Sequence, residues 1–175
     1  MRLLRCCRRR ELVRIAWRDL AGWADLAETM ADLSDFADAC LHHTLEILHQ
    51  WQCDKSGLPT AEDGSEQHLV ILGLGKLGAR ELNFSSDVDL IFAYPRGGET
   101  TGAQHSSGNE DFFSRLCRRL IKVIGQPTAD GFVFRVDARL RPFGESGPLT
   151  MDFDTMEQYY QQQGREWERY ALIKA

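Results

Sequence analysis

The chain has 175 residues, of which 43% are hydrophobic and 27% are charged, and its formal net charge is −5. This length suits one folded core with a helical extension, and the composition is that of an ordinary globular protein. No apolar run reaches the ~18 residues of a membrane helix, and no secretory signal pattern is present, so no membrane partner is expected. The five cysteines include no Cys-x-x-Cys pair, which indicates a reduced, cytoplasmic protein without cysteine-bound zinc.

The N-terminal segment is basic, with seven arginines and one acid among its first eighteen residues. Such a segment can bind nucleic acid. Here the arginines are interpreted as the solvated face of a helix from Arg9 to about Met30, so no nucleic-acid partner is expected. A second helix is predicted from Leu33 to Leu48. His42 and His49 share one face of it, which is interpreted as a solvated or half-buried position rather than a metal site.

The rest of the chain alternates strands, loops and helices. The predicted elements in chain order are a polar linker or loop from Cys53 to Gln67, a buried strand from His68 to Gly73, a short helical turn to Leu82, a strand from Val88 to Tyr94, a loop from Arg96 to Asn109, a helix capped by Asn109, a strand from Phe132 to Leu140, and helices over Met151–Gln162 and Arg165–Lys174. The predicted fold class is α/β (α+β), a short mixed sheet with flanking helices and a helical N-terminal part. Residues 1–52 form that part, 53–67 the linker or loop, and 68–175 a further domain. The last residues stop in mid-pattern without a glycine or proline, which predicts a fragment of a longer protein.

Two carboxylates stand two residues apart at the entrance of the Val88 strand, namely Asp87 and Asp89. Because a strand sends alternate side chains to one face, both are expected to point the same way. Ionised carboxylates at such a distance repel each other unless a cation lies between them. Mg²⁺ prefers hard oxygen ligands and is often bound by protein carboxylates and phosphate oxygens at the same time. The pair therefore suggests chemistry on a phosphorylated substrate.

A third acid, Asp137, fits the same site. In the strand from Phe132 to Leu140 apolar residues alternate with a polar face that carries Asp137 and its arginine neighbours. Arginines offer forked donors to phosphate oxygens. If this strand lies beside the Asp89 strand, Asp137 completes a three-carboxylate cluster. Arg139 and Arg141 would pair either with phosphate or with nearby protein acids.

A glycine pattern before the acids has a competing interpretation. Gly73, Gly75 and Gly78 follow an apolar strand in the spacing of the dinucleotide-binding fingerprint. That fold also needs a full crossover helix, a second strand and an acid about 20 residues further on. Here the next strand begins only about ten residues after Gly78, which leaves too little chain for the helix, so NAD binding is not expected.

Three blocks of the sequence carry a family resemblance: Glu81–Phe92, Arg135–Leu149 and Gly164–Ala171. They resemble the nucleotidyltransferase superfamily and, within it, the glutamine synthetase adenylyltransferase/adenylyl-removing enzymes. The segment from Arg8 to Leu20 is also similar to that family. The resemblance covers nearly the whole chain apart from about Cys53 to Gln67.

The resemblance implies a nucleotidyltransferase-type sheet, with residues 68–175 as a catalytic domain truncated at its C-terminus. Members of the family carry two related halves. The amino-terminal half removes AMP from a glutamine synthetase tyrosine by phosphorolysis, and the carboxy-terminal half attaches it from ATP. The present chain resembles the removing half in three segments: Asn83–Ser86, Phe143–Pro148 and Gln163–Arg169.

The same resemblance implies the site residues and the partners. Asp87, Asp89 and Asp137 would be catalytic and would hold Mg²⁺ or Mn²⁺. The residues expected to meet nucleotide or phosphate are Gly75, Lys76, Ser86, Arg139 and Arg141. The expected partners are glutamine synthetase, a PII-type signal protein, ADP or ATP, and phosphate. Two alternatives stay open: ATP-dependent adenylylation, and a non-catalytic regulatory module that binds glutamine synthetase or a PII-type protein.

Overall fold

The computed structural model describes residues 2–103 and 105–175. Within these residues the chain forms six α-helices and six short β-strands, so the mixed α/β class is as predicted. The helices are α1 (Arg2–Leu20), α2 (Leu26–Ser56), α3 (Gly75–Gly78), α4 (Asn109–Gly125), α5 (Phe153–Gln162) and α6 (Glu166–Leu172). The strands are β1 (Leu58–Thr60), β2 (Val70–Leu74), β3 (Val88–Tyr94), β4 (Glu99–Thr101), β5 (Val136–Asp137) and β6 (Thr150–Asp152). None of the described helices has the length and apolar character that a membrane span requires.

The break between the two N-terminal helices lies earlier than the sequence pattern indicates. The pattern places it just after Met30, whereas α2 has already begun by then. Gly22 adopts a positive φ of 70° just after α1, which is the backbone geometry of a helix C-terminus. Asp25 then caps α2, because its carboxylate accepts a hydrogen bond from the Glu28 amide at 2.8 Å. The predicted break is therefore wrong, and these two local signals explain the observed one.

The predicted linker over residues 53–67 is only partly a loop. The end of α2 lies inside it, and β1 pairs antiparallel with β4, which falls within the predicted loop over 96–109. Gly57 permits this approach: its φ is 82°, and a Cβ atom there would lie 2.4 Å from the Thr101 carbonyl oxygen. Strands of three residues that pair with a distant segment leave no periodic pattern in the sequence. The division into 1–52, 53–67 and 68–175 stays a prediction.

Strand β3 is the centre of the main sheet. It pairs antiparallel with β2 and parallel with both β5 and β6. In the β3–β5 register Asp89 lies opposite Asp137. Since neighbouring strands are about 4.8 Å apart, this pairing puts two of the predicted site residues side by side.

The predicted strand from Phe132 to Leu140 is reduced to the two residues of β5. Before β5, the amides of Val133 and Phe134 donate to the carbonyl of Ile124 at 2.9 and 3.2 Å, so they join the end of α4 rather than a strand. After β5, the Arg139 amide donates to the Asp137 carboxylate at 2.8 Å, and this side-chain bond replaces the next ladder bond. The alternating pattern therefore identifies the site residue but predicts too long a strand.

The apolar stripe of α4 forms the centre of the core. Its fully buried apolar side chains are Phe112, Phe113, Leu116, Cys117, Leu120 and Ile124. They belong to one apolar cluster with residues of β3 and α2, so the helical N-terminal part and the sheet share a core. Asn109 is not the cap of α4: the helix begins at Asn109, and its buried side-chain amide donates to the Thr60 carbonyl at 3.0 Å.

Candidate functional site

The turn that joins β2 to β3 is built from glycines, each of which is needed for a different physical reason. Gly75 has a φ of 59°, a left-handed conformation that glycine adopts without steric cost. A Cβ atom on Gly78 would lie 1.8 Å from the carbonyl oxygen of Lys174, so this glycine lets the C-terminal segment contact the turn. The turn is thus a point where two distant parts of the chain approach closely.

The topology around the turn contradicts the dinucleotide-binding interpretation of the glycine pattern. Helix α3 has only four residues, and the strands on either side of it, β2 and β3, are antiparallel. The dinucleotide-binding fold needs parallel strands joined by a full crossover helix. The glycines therefore serve a tight turn rather than a βαβ unit.

The three predicted acids lie near the start of β3. Asp89 and Asp137 are register partners on adjacent parallel strands, and Asp87 lies immediately before β3. The glycine turn borders them, because a Cβ atom on Gly75 would lie 3.0 Å from Oδ2 of Asp89. The structure therefore sets Asp89 against Asp137 beside the predicted phosphate turn, with Asp87 two residues before Asp89. The three carboxylates do not offer one oxygen each within 4.8 Å of one another, a criterion that the described residues meet at another place in the chain.

Asp89 is the acid whose charge the protein stabilises least. Burial raises the pKa of Asp89, and the negative charges of Asp137 and Asp87 raise it further, against a smaller opposing effect from Arg139. Within the described residues the Asp89 carboxylate makes no hydrogen bond and no ion pair. A half-buried carboxylate without donors, next to two like charges, is a group that a cation would stabilise.

Asp137 has the opposite electrostatic environment. The Arg139 guanidinium donates to both of its carboxylate oxygens, at 2.9 and 3.1 Å from Nε, and the Arg139 amide donates to Oδ1 at 2.8 Å. These hydrogen bonds lower the pKa of Asp137 although its partial burial acts against them. The two neighbouring acids therefore differ: Asp137 is held ionised by a fixed cation, whereas Asp89 lacks one.

Asp87 is oriented by Arg135, a residue that the sequence-based site does not include. Nε of Arg135 donates to Oδ1 of Asp87, and its Nη2 donates to the carbonyl of Ser85, so one guanidinium ties the segment before β3 to the segment before β5. The signal for Arg135 was present in the sequence, because it shares the polar face of the predicted strand with Asp137. Its role is to position an acid, which residue type alone does not reveal.

The donor set fits a hard divalent cation. Asp87 and Asp137 are close enough to Asp89 to raise its pKa, and Asp89 has no protein donor among the described residues. Mg²⁺ and Mn²⁺ are bound by such oxygen ligands and keep positions open for phosphate oxygens. Asp87, Asp89 and Asp137 are therefore the residues that could hold the metal ion that the sequence predicts.

Comparison with known proteins identifies the family. A family model described as glutamate-ammonia ligase adenylyltransferase matches residues 1–175. The chain belongs to this adenylyltransferase family. It is 60% identical over 176 residues to a bifunctional glutamine synthetase adenylyltransferase/adenylyl-removing enzyme from Nitrosococcus oceani, with 100% of the chain and 18% of the relative covered. Enzymes of the same name from Pseudomonas aeruginosa and Thioalkalivibrio sulfidiphilus are both 58% identical to the present chain, over 99% and 100% of its length respectively. The chain spans 18% of the length of these curated relatives.

In this member of the adenylyltransferase family, the residues expected to meet phosphate on the glycine-turn side lie before the acids in the chain, and the structure shows Gly75 next to Asp89. Gly75 contributes the turn itself, and Lys76 is exposed in α3. The Ser86 hydroxyl donates to the side-chain oxygen of Asn83 at 2.9 Å, so Asn83 holds the loop that precedes Asp87. The phosphate contacts of Gly75, Lys76 and Ser86 stay predictions.

The two arginines expected to bind phosphate are held differently. Arg139 is 70% exposed and pairs with Asp137. The Arg141 guanidinium donates to the backbone carbonyls of Ala138 and Pro148 at 2.7 and 3.2 Å, which connects the two ends of the loop after β5. Arg139 therefore has a guanidinium at the acid cluster itself, whereas the observed bonds of Arg141 support the adjoining loop. Phosphate binding by either arginine stays a prediction.

Replacing Gly75 with Ala is expected to weaken Mn²⁺ binding and to lower the free energy of unfolding by about 1–2 kcal/mol, the usual cost of a left-handed backbone for an L-residue. The added Cβ would press on Oδ2 of Asp89, 3.0 Å away. Gly64→Ala is the matched control, since Gly64 has a φ of 81° with nothing within 4 Å of a Cβ. Calorimetric Mn²⁺ titration and urea unfolding of both variants check the expectation. Equal Mn²⁺ affinities in the two variants would contradict a metal site beside Gly75.

Proposed function

We propose that this chain carries a metal-dependent nucleotidyltransferase centre that removes AMP from the adenylylated tyrosine of glutamine synthetase by phosphorolysis. The single observation that carries the proposal is the register that sets Asp89 opposite Asp137, beside the glycine turn. Family membership and the names of the relatives support the choice of glutamine synthetase as substrate.

The proposed centre works by holding charge in fixed positions. Asp87, Asp89 and Asp137 would hold one or two Mg²⁺ or Mn²⁺ ions. When bound, such ions would neutralise the negative charge of phosphate oxygens and stabilise the entering and leaving oxygens of an in-line displacement. The protein orients its own ligands: the pairing of β3 with β5 sets Asp89 against Asp137, and Arg135 directs Asp87. Ligands held in place in advance reduce the reorganisation that the reaction would otherwise require.

In the proposed reaction an oxygen of inorganic phosphate forms a bond to the phosphorus of AMP. The bond from that phosphorus to the tyrosine oxygen breaks, so ADP leaves and the tyrosine regains its hydroxyl proton. Arg139 is the candidate to orient the incoming phosphate, because its exposed guanidinium lies on Asp137 and offers forked donors. The other candidates for phosphate contact lie at the glycine turn and just before β3, namely Lys76, Ser86 and the backbone of Gly75. Arg141 would either support the loop that carries Arg139 or bind phosphate itself.

The direction of the proposed reaction is supported by the blocks that resemble the removing half of the family. Residues from two of them, Phe143–Pro148 and Gln163–Arg169, line one cavity of about 380 Å³ next to the loop after β5. Blocks that are distant in the sequence but form one surface favour a shared role in substrate recognition. ATP-dependent adenylylation is the second candidate, because the names of the relatives include both activities.

A regulatory module without catalysis is the third candidate and would bind glutamine synthetase or a PII-type signal protein. The pairing of Asp89 with Asp137 beside the glycine turn favours a reacting centre over such a module, since neighbouring carboxylates repel each other without a cation.

We expect the chain to release ADP from adenylylated glutamine synthetase when phosphate and Mg²⁺ are present, and not when Mg²⁺ is chelated. We also expect no transfer of label from ATP to the unmodified synthetase. Chromatographic ADP detection and radiolabel transfer check the two directions. Label transfer from ATP would establish the reverse reaction instead. If neither reaction occurs while calorimetry shows binding to the synthetase, the regulatory interpretation replaces the catalytic one.

A further inference from the structure

Four of the five histidines of the chain lie near one another, away from the carboxylate cluster. Three are on α2 (His42, His43 and His49), and His68 lies just before β2. The rings of His49 and His68 are 5.3 Å apart, and those of His42 and His43 are also 5.3 Å apart. A groove of about 370 Å³ is lined by His42, Leu45, Glu46, His49, His68 and Leu69. Imidazoles therefore dominate the polar lining of this surface.

Glu46 joins the two imidazoles at one end of the groove. Its Oε1 lies 3.3 Å from Nε2 of His42, and its Oε2 lies 3.1 Å from Nδ1 of His43. The spacings of three and four residues put both histidines on the face of Glu46. One potential ligand atom from each of the three residues lies within 4.8 Å of the other two. The two imidazoles thus lie on different oxygens of one carboxylate, and the three side chains together offer two nitrogens and one carboxylate to an ion.

We propose that His42, His43 and Glu46 form a second metal site, for a divalent transition ion of the Zn²⁺ class. Zn²⁺ takes imidazole and carboxylate ligands at about 2.0–2.2 Å, which places the ligand atoms ~3.3 Å apart. The observed separations require only side-chain rotation to reach this geometry. The three side chains are 58–71% exposed, so they can rotate without disturbing the core, and water can complete the coordination shell.

The chemistry of the donors separates this site from the carboxylate cluster. Imidazole favours Zn²⁺, Ni²⁺ and Cu²⁺, whereas an all-carboxylate site suits Mg²⁺ and Mn²⁺. One chain therefore offers two metal sites of different preference. The second site borders the groove that runs toward β2, and His42 also lines the adjoining cleft with Val70 and Gly73. An ion on His42 would fix a side chain beside the strand that leads into the glycine turn. The site does not depend on the proposed reaction.

The test is a Zn²⁺ titration of the whole chain in a large excess of Mg²⁺, which would occupy the proposed carboxylate site. The imidazole signals of all five histidines are followed by ¹H–¹⁵N NMR, and affinity is measured by calorimetry. The residue-resolved signals are needed because the exposed thiols of Cys6 and Cys7 also attract Zn²⁺. We expect the His42 and His43 signals to shift and the His105 signals to stay unchanged.

Variants decide which imidazoles carry the affinity. The double substitution His42→Ala and His43→Ala is expected to weaken Zn²⁺ binding at the imidazole site at least tenfold, and Glu46→Gln is expected to weaken it less. His105→Ala is the matched control and should leave binding unchanged. The proposal is overturned if the His42 and His43 signals do not move, if the double variant binds as the parent does, or if His68→Ala abolishes binding while the double variant retains it.

Discussion

Replacing Asp89 with Asn is expected to reduce phosphorolysis more than about 100-fold and to leave the fold intact. Loss of a residue that only orients a metal ligand already costs 10–100-fold in affinity or activity, so loss of a ligand should cost more. Asn keeps the shape of the side chain but removes the charge that faces Asp137 across the β3–β5 pair. ADP release from adenylylated glutamine synthetase is the measurement.

The same substitution is expected to stabilise the metal-free protein, in contrast to the usual effect of a mutation. The pKa of Asp89 is raised in the folded chain by burial and by its two acidic neighbours. The folded state therefore holds the proton more tightly than the unfolded state. This contribution to stability is present at low pH and is lost as pH rises through the folded-state pKa, above the ordinary aspartate value. In Asp89→Asn the loss should be absent, so its thermal midpoint should exceed that of the parent at neutral pH.

Metal binding should reverse the order of the two proteins. An ion that binds only the folded state adds stability in proportion to its occupancy, so Mg²⁺ should raise the thermal midpoint of the parent and not that of Asp89→Asn. Asp54→Asn is the matched control, because Asp54 is an exposed acid on α2 whose contact, with Gln50 at 2.8 Å, survives the change. An Asp89→Asn protein with parental activity would remove Asp89 from the centre.

The neighbourhood of Asp89 and Asp137 could be predicted from the sequence because it follows from two local regularities. Alternation within a strand puts Asp137 on the polar face. The position of Asp89 at the start of β3 identifies the end of the sheet at which it lies. The structure adds the register that joins them. Register depends on where each strand begins, and for β5 that is decided by the end of α4, through the bonds of Val133 and Phe134 to Ile124. No pattern within residues 132–140 contains this information.

The features that sequence reasoning missed depend on contacts between distant segments. Arg135 reaches Asp87 across 48 positions, and β1 pairs with β4 across about 40 positions. The sequence pattern groups His49 with His42 on one helix face, whereas in the structure the ring of His49 lies 5.3 Å from that of His68, which precedes β2. Residue type indicates that a side chain can act as a ligand. Only the fold determines which partners surround it.

Replacing Asp137 with Asn is expected to separate catalysis from stability. If Asp137 ligates metal, phosphorolysis should again fall more than about 100-fold, because loss of a residue that only orients a metal ligand already costs 10–100-fold. Its pair with Arg139 is solvent-exposed on the arginine side, and exposed ion pairs contribute little to the free energy of unfolding. Removal of the charge also relieves Asp89, whose pKa Asp137 raises. These two effects oppose each other, so the thermal midpoint should change by less than about 4 °C.

Arg139→Gln provides the control that distinguishes the two roles of Asp137. It removes the guanidinium partner but leaves all three carboxylates, so Mn²⁺ binding should survive while the affinity for phosphate falls. Measuring thermal midpoint, Mn²⁺ affinity and phosphorolysis in both variants assigns each residue. If Asp137→Asn is destabilised yet fully active, Asp137 is an ion-pair partner of Arg139 alone, and the centre is reduced to Asp87 and Asp89. If it loses both Mn²⁺ affinity and turnover at an unchanged midpoint, the register between β3 and β5 is what assembles the site.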